Sequence, residues 1–183
     1  HRRRERPMIR VIVRSLADGT ATEGKEAARA VCTQLGRTLW PRDPRVSRSG
    51  TAGLAAVAIS DACAVGVDVE RIDERVVDAS LLAVVLHPRE HAAAKREHLA
   101  RDFFGLWTRK EAVLKAVGQG LLIPPQSIMV GFAGQEWYRV TVPGHGEVAV
   151  RSFDVPHGFA GALAIVADTT TREYPMVATQ HLG

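Results

Sequence analysis

The feature that most constrains the fold is the segment 103–121, Phe-Phe-Gly-Leu-Trp-Thr-Arg-Lys-Glu-Ala-Val-Leu-Lys-Ala-Val-Gly-Gln-Gly-Leu. Its apolar groups recur at steps of three and four, the spacing of one helix face: Phe103, Leu106, the stem of Lys110, Leu114 and Val117. Gly118 and Gly120 follow, where a helix most easily ends in a left-handed turn. The pattern predicts a long central helix with Glu111 and Lys115 one turn apart on one face. By itself such a pair is typical of an ordinary surface ion pair.

The bulk composition predicts one soluble domain. A chain of 183 residues with 46% hydrophobic residues can bury a substantial core. No apolar run approaches the roughly 18 residues of a membrane span, and no secretory signal follows the Arg-rich start. Cys32 and Cys63 lie in apolar surroundings without metal or disulfide spacing, which is typical of reduced thiols. We therefore expect a cytoplasmic monomer that does not contact membranes.

The positive charge is unevenly distributed. The net charge is +4 with a pI near 9.5, and the excess arginines form two clusters: Arg2, Arg3, Arg4, Arg6, Arg10 and Arg14, then Arg42, Arg45 and Arg48. Such surfaces attract polyanions, which include nucleic acids, phosphorylated small molecules and acidic proteins. Few aromatic residues are interleaved with the arginines, which argues against a single-strand nucleic-acid site.

The periodic patterns predict an α+β fold. In chain order they indicate a strand at 8–15, a helix at 23–39, a basic loop at 41–53, strands at 54–60 and 64–70 in a hairpin, helices at 78–86 and from 87 onward, the central helix, and strands at 127–133, 137–142, 147–153 and 159–167. The last strand resembles 54–59 in composition, a weak sign of a duplicated α+β unit. The polar tail from Thr169 is predicted to be loosely attached.

Two carboxylates share one face of the strand 64–70. Asp68 and Glu70 alternate with valines, so both point to the same side. An inward-facing Glu111 would add a third carboxylate, and three charges would repel by about 4 kcal/mol for each pair at a separation of about 4 Å and an effective dielectric of about 20. Mg²⁺ would remove that repulsion and bind phosphate oxygens, with Lys115 facing the same phosphates. The same pattern also fits the solvent-facing side of an edge strand.

The two segments together resemble a known family. Val65-Gly66-Val67-Asp68-Val69-Glu70, followed by Trp107-Thr108-Arg109-Lys110-Glu111-Ala112-Val113-Leu114-Lys115, is similar to the two-part signature of the 4′-phosphopantetheinyl transferase superfamily, in its Sfp-type (holo-acyl-carrier-protein synthase-like) branch. The resemblance covers about 46–167. It implies an α+β fold of two pseudo-symmetric halves in a single domain 1–183, about 8–70 and 71–168, with the first half reduced and the active site between them.

The resemblance also implies residue roles. Asp68, Glu70 and Glu111 would bind Mg²⁺ on the pyrophosphate of coenzyme A, and Glu111 would also belong to the catalytic set. Lys115 would contact the phosphates and assist the departure of adenosine 3′,5′-bisphosphate, and Lys110 would belong to the residues that bind coenzyme A. A base is needed because a serine hydroxyl is too weakly acidic to attack unaided. Glu90 lies where this branch of the family carries its catalytic base. As a residue at a helix start, Glu90 is equally typical of a stabilising N-terminal acid.

One motif departs from the family pattern. The family usually has Ser-His-Ser before the first hairpin, with the histidine on the 3′-phosphate of coenzyme A. This chain has Ser47-Arg48-Ser49, three residues that the resemblance implies as coenzyme A ligands, and arginine can still bind a phosphate bidentately. Because the preceding segment is shorter than is usual in the branch, Arg42 and Arg45 are further candidates for coenzyme A binding.

These features predict the transfer of 4′-phosphopantetheine from coenzyme A to a serine of an apo carrier protein, with Mg²⁺. Carrier domains in such systems are usually acidic, so the basic surface would favour their capture. Two alternatives remain open. One is a catalytically silent relative that binds coenzyme A or a carrier. The other is a basic nucleic-acid-binding module, which would bind any duplex with steep salt dependence and would not need Asp68.

Overall fold

Two four-stranded sheets carry the fold in this computed structural model, which describes residues 8–17, 19–35, 45–132, 134–166 and 174–183. The strands are β1 Met8–Ser15, β2 Val46–Thr51, β3 Leu54–Ser60, β4 Val65–Arg71, β5 Tyr138–Val142, β6 Gly146–Ser152, β7 Phe159–Val166 and β8 Met176–Leu182. The helices are α1 Ala21–Gln34, α2 Ala79–Val85, α3 Pro88–Ala93 and α4 Leu99–Ala116. Within these residues no helix is both long and apolar enough to cross a membrane.

The elements stack in four layers. The first sheet has the strand order β2-β3-β1-β8 and the second has β4-β7-β6-β5. Residues of both sheets, among them Val11, Leu54, Val67 and Leu163, share one core between the sheets. The outer face of the first sheet packs against α1, and that of the second packs against α4. The fold is α+β, and each sheet carries one long helix.

The helix boundaries follow their caps. In α1, Thr20 and Glu23 form a reciprocal capping box, so the helix begins two residues before the predicted start at 23. It ends at Gln34, and the predicted extension through residues 36–39 lies outside the described residues. Asp78 caps α2 by accepting a hydrogen bond from the Leu81 N–H at 2.8 Å, as predicted.

The central helix is confirmed as α4, although it begins at Leu99, four residues before the predicted segment 103–121. Phe103, Leu106, Lys110 and Leu114 are buried along one stripe. Gly118 leaves the helix with φ +71°, the predicted left-handed exit.

Four local predictions are wrong. The predicted loop 41–53 contains β2, which pairs with β3; residues 41–44 lie outside the described part. The predicted hairpin of 54–60 and 64–70 does not form, because β3 already has β1 and β2 on its two sides and β4 pairs with β7. The described residues 127–132 of the predicted strand 127–133 form no strand: a 3₁₀ turn at Pro125–Ser127 precedes irregular chain at 128–132. Part of the polar tail is β8, which pairs in parallel with β1.

Candidate active site

A cavity of about 390 Å³ opens where α1, β2, β4 and α4 meet. It has carboxylates on the side of β4 and α4, and cations on the side of α1 and β2. The lining residues are Lys25, Ala28, Arg29, Arg48, Ser49, Gly50, Asp68, Glu70, Glu111 and Lys115. The structure therefore brings together Asp68, Glu70, Glu111, Lys115, Arg48 and Ser49 of the predicted site.

Glycines allow the elements around the cavity to approach closely. A methyl group at Gly66 of β4 would overlap the carbonyl oxygen of Ala112 in α4, and one at Gly50 of β2 would overlap the backbone of Gly24 in α1. Backbone therefore packs directly on backbone at both contacts. The first contact places Glu111 and Lys115 beside Asp68.

Asp68 is the most buried carboxylate of the cavity, with its side chain 4% exposed. Its Oδ1 accepts hydrogen bonds from Lys115 Nζ and from Ser49 Oγ, each at 2.7 Å. Its Oδ2 is buried without a hydrogen-bond partner. Burial raises the pKa of the Asp68 carboxyl, and the Lys115 charge and the two hydrogen bonds oppose that rise.

Burial and the charge of Asp68 raise the pKa values of Glu70 and Glu111. Burial, and secondly the charge of Asp68, raise the pKa of Glu70 to about 7, against the lowering effects of the nearby Thr51, Lys115 and Trp107 side chains. Burial first and the Asp68 charge second also raise the pKa of Glu111. The charge of Asp68 thus opposes the ionisation of both glutamates.

This donor set suits a hard divalent cation. An orphaned buried oxygen on Asp68 lacks a positive or hydrogen-bonding partner, and carboxylate oxygens are the ligands that Mg²⁺ prefers. A cation would also offset the repulsion that raises the pKa values of Glu70 and Glu111. Among the described residues, however, no group of three or more His, Cys, Asp or Glu side chains is already arranged as a metal centre. Chemistry and burial thus favour a cation, and the binding of Mg²⁺ stays a prediction.

Cations occupy the opposite wall. Lys25 and Arg29 lie one turn apart on α1, and Arg48 lies on β2. The sequence analysis predicted Arg48 here and missed Lys25 and Arg29. Their i, i+4 spacing is visible in the sequence. The sequence does not show that this side of α1 faces the site, because the orientation of α1 depends on its packing against β2. The cavity therefore has an acidic and a basic end, which suits a ligand that carries several phosphates.

Glu90 and Lys110 are not among the residues that line the cavity, contrary to the prediction. Their side chains are 2% and 0% exposed and form an ion pair at 2.7 Å. The Glu90 carboxylate also accepts the N–H groups of Val130 at 2.7 Å and His87 at 3.0 Å. In this position the Glu90 carboxylate binds its own fold, and its role as catalytic base stays a prediction.

Lys110 has its three ammonium hydrogens directed into the protein. Besides Glu90, Nζ donates to the carbonyl oxygens of Pro125, at 3.0 Å, and Ile128. The neighbouring Arg109, 1% exposed, donates to Val130 O at 2.8 and 3.1 Å. Consecutive residues of α4 thus point in different directions: Arg109 and Lys110 anchor the helix to the segment 125–130, and Glu111 lines the cavity.

The remaining predicted ligands of coenzyme A have mixed outcomes. The Ser47 hydroxyl, 9% exposed, accepts the Val67 N–H at 3.0 Å and does not line the cavity. Arg45 is exposed and is likewise not among the lining residues. Arg42 lies outside the described residues. The sequence predicted no role for Thr51 and Trp107. Both lower the pKa of the Glu70 carboxyl, an effect that depends on their positions in the folded chain.

Comparison with known proteins agrees with this geometry. The family model described as the 4′-phosphopantetheinyl transferase superfamily matches residues 64–164, more than half of the chain and the part that carries Asp68, Glu70, Glu111 and Lys115. The chain therefore belongs to the 4′-phosphopantetheinyl transferase superfamily. This confirms the resemblance and is consistent with the α+β architecture.

Two curated relatives have matching regions. The chain is 35% identical to "4′-phosphopantetheinyl transferase gsp" of Aneurinibacillus migulanus over 69 residues, which is 36% of this chain and 28% of that protein. It is 26% identical to a 4′-phosphopantetheinyl transferase of Bacillus subtilis over 113 residues, 60% of this chain and 48% of that protein. The matched region thus spans less than half of either relative.

Proposed function

We propose that this chain transfers 4′-phosphopantetheine from coenzyme A to a serine hydroxyl of an apo carrier protein, with Mg²⁺, and releases adenosine 3′,5′-bisphosphate. The observation that carries the proposal is the bipolar cavity, with Asp68, Glu70 and Glu111 on one side and cations on the other. Membership of the superfamily and the names of the two relatives support the same reaction.

The carboxylates would hold Mg²⁺, whose charge would neutralise the non-bridging oxygens of the pyrophosphate. Lys115, with its side chain 30% exposed, can reach a bound phosphate and stabilise the charge on the departing group. Lys25, Arg29 and Arg48 would bind the 3′-phosphate at the basic end. In that arrangement the two ends of the cavity fix the direction in which coenzyme A lies.

The acceptor serine must lose its proton as it attacks phosphorus. Since Glu90 is committed to Lys110 and to backbone N–H groups, we transfer this role to the carboxylates of the cavity. The attacking oxygen forms a new P–O bond while the bond to the adenosine bisphosphate oxygen breaks.

The experiment is the intact mass of an apo carrier protein after incubation with this chain, coenzyme A and Mg²⁺. We expect a gain of about 340 Da, one phosphopantetheine, which Asp68→Asn abolishes. Glu136→Gln, at an exposed carboxylate not among the cavity residues, is the matched control and should transfer normally. With 3′-dephospho-coenzyme A we expect slower transfer.

Other outcomes would contradict the proposal. Coenzyme A binding without a mass gain on several carrier types would indicate the silent relative. Absence of both, with tight and steeply salt-dependent duplex binding, would indicate the nucleic-acid module.

A further inference from the structure

The two sheets meet through a row of hydroxyl side chains. β2 is an edge strand of the first sheet and β4 is an edge strand of the second, and the two strands lie side by side. Ser47, Ser49 and Thr51 alternate along β2 and therefore point to one side. We name these three residues the hydroxyl row.

The ends of the hydroxyl row bind backbone. Ser47 Oγ accepts the Val67 N–H at 3.0 Å, and Thr51 Oγ1 accepts the Arg71 N–H at 3.4 Å. Both contacts join residues 20 apart in sequence, so β2 and β4 run parallel over this stretch. Side-chain hydroxyls here satisfy N–H groups of β4 that a neighbouring strand would otherwise pair.

The middle member of the hydroxyl row reaches a carboxylate of β4. Ser49 Oγ donates to Asp68 Oδ1 at 2.7 Å. Because Ser49 and Lys115 both use Oδ1 of Asp68, the carboxylate cannot rotate without losing both bonds. The oxygen left over, Oδ2, is the buried atom without a partner.

We propose that Ser49 is a positioning residue, which holds Asp68 in the orientation that receives a divalent cation. This inference rests on the proposed function, since it specifies how the same site is built. It reassigns Ser49, which the sequence predicted to contact coenzyme A, to a role exerted through Asp68. A hydroxyl suits the task because it orients a carboxylate with one hydrogen and brings no charge that competes with the cation.

The test measures Mn²⁺ binding to the metal-free protein by water-proton relaxation, and the Mg²⁺ concentration that gives half-maximal transfer. Removing an outer partner of a metal ligand typically weakens metal binding about 10–100-fold. We expect Ser49→Ala to weaken Mn²⁺ binding at least about tenfold, to raise the half-maximal Mg²⁺ concentration equally, and to leave the KM for coenzyme A near the wild-type value at saturating Mg²⁺. Ser49→Thr keeps the hydroxyl and should restore most of the binding.

A matched variant separates the orientation of the carboxylate from stability. Ser47→Ala removes a member of the row whose hydroxyl accepts a backbone N–H, so it should lower the melting temperature while Mn²⁺ affinity stays at the wild-type value.

The inference is overturned if Ser49→Ala binds Mn²⁺ normally and instead raises the KM for coenzyme A, because Ser49 would then contact the substrate directly. It is also overturned if Ser49→Thr and Ser49→Ala behave alike. A wild-type chain that binds no Mn²⁺ and transfers nothing would refute the proposed function as well. Normal wild-type transfer with an unaffected Ser49→Ala would refute this inference alone.

Discussion

Lys115 Nζ lies 2.7 Å from Asp68 Oδ1 and 3.1 Å from the carbonyl oxygen of Val67. One ammonium group thus ties the last turn of α4 to β4 and supplies a nearby positive charge to the most buried carboxylate of the cavity. The Lys115 side chain is 30% exposed and that of Asp68 is 4% exposed. The lysine therefore has a solvent-facing part from which it can reach a ligand.

Replacing Lys115 with methionine keeps most of the aliphatic stem and removes the charge. Asp68 would retain Ser49, and we expect the transfer rate to fall about 100-fold or more, because the departing group would lose its cation. We also expect the free energy of unfolding to fall by about 1–3 kcal/mol, because the hydrogen bonds of Lys115 are lost. Steady-state kinetics and urea unfolding measure the two effects. Lys95→Met, at an exposed lysine, is the control; equal kcat values for the two variants would refute the role.

The raised pKa of Glu70 predicts a pH-dependent stability. Its pKa moves from an ordinary 4.5 to about 7 through burial and the charge of Asp68. A carboxyl with a higher pKa in the folded state contributes stability that is complete below pH 4.5 and is lost as pH rises through 7. In metal-free protein, Glu70→Gln should therefore raise the melting temperature at pH 8, by roughly 2–4 °C for each kcal/mol relieved, and much less at pH 5.

Calorimetric or fluorescence melting curves at the two pH values test this prediction. Glu136→Gln serves as the exposed control and should change neither curve. Added Mg²⁺ should reduce the advantage of Glu70→Gln at pH 8, because only the glutamate can bind the ion. An advantage of equal size at pH 5 and pH 8 would contradict the assignment.

The buried pair of Glu90 and Lys110 predicts a loss of stability when one partner is removed. Glu90→Gln would leave a buried ammonium with its carbonyl partners only, so we expect a loss of about 3–5 kcal/mol in the free energy of unfolding. The double variant Glu90→Gln/Lys110→Met should lose less than the sum of the single variants, since the uncompensated charge is gone. Urea unfolding of the three variants completes the cycle.

The same variants test catalysis. If Glu90 were the catalytic base, Glu90→Gln would lower kcat while its unfolding free energy stayed at the wild-type value. We expect the reverse: Glu90→Gln should lower the free energy of unfolding, and the folded fraction should largely retain its kcat.

Gly66 predicts a steric limit beneath α4. An added methyl group would overlap Ala112 O and lie 2.6 Å from Ala116 N, so Gly66→Ala must push the helix away from β4. We expect a loss of about 3 kcal/mol or more, together with lost transfer, because the shift moves Glu111 and Lys115 from Asp68. Gly134→Ala, where the added methyl group meets no atom within 4 Å, is the control. A Gly66→Ala protein with wild-type unfolding would contradict this packing.

Much of the acidic side of the site was predictable from the periodicity of the sequence. Period two placed Asp68 and Glu70 on one face of β4, and a four-residue step placed Glu111 and Lys115 on one face of α4. What brings the two faces together, the contact of Gly66 with Ala112, has no local signal. The family resemblance supplied the pairing of segments that periodicity could not.

The errors come from residues whose neighbours are distant in sequence. Ser47, Arg48 and Ser49 have a composition typical of a loop, yet they form β2 because β3 supplies its partner strand and α1 covers it. Glu90 resembled an exposed helix-start acid, and only the fold reveals Lys110 beside it. Burial of an ion pair depends on tertiary packing, which residue type alone does not specify.

The strand order of the first sheet has a consequence for the order of folding. β1 lies between β3 and β8, so during synthesis β1 keeps one edge unpaired until 176–182 has been synthesised. By then every strand of the second sheet, from β4 to β7, has emerged. An open strand edge can pair with other chains, and pairing across such a long separation is slow. We therefore expect nascent chains that end before β8 to be the aggregation-prone species of this protein.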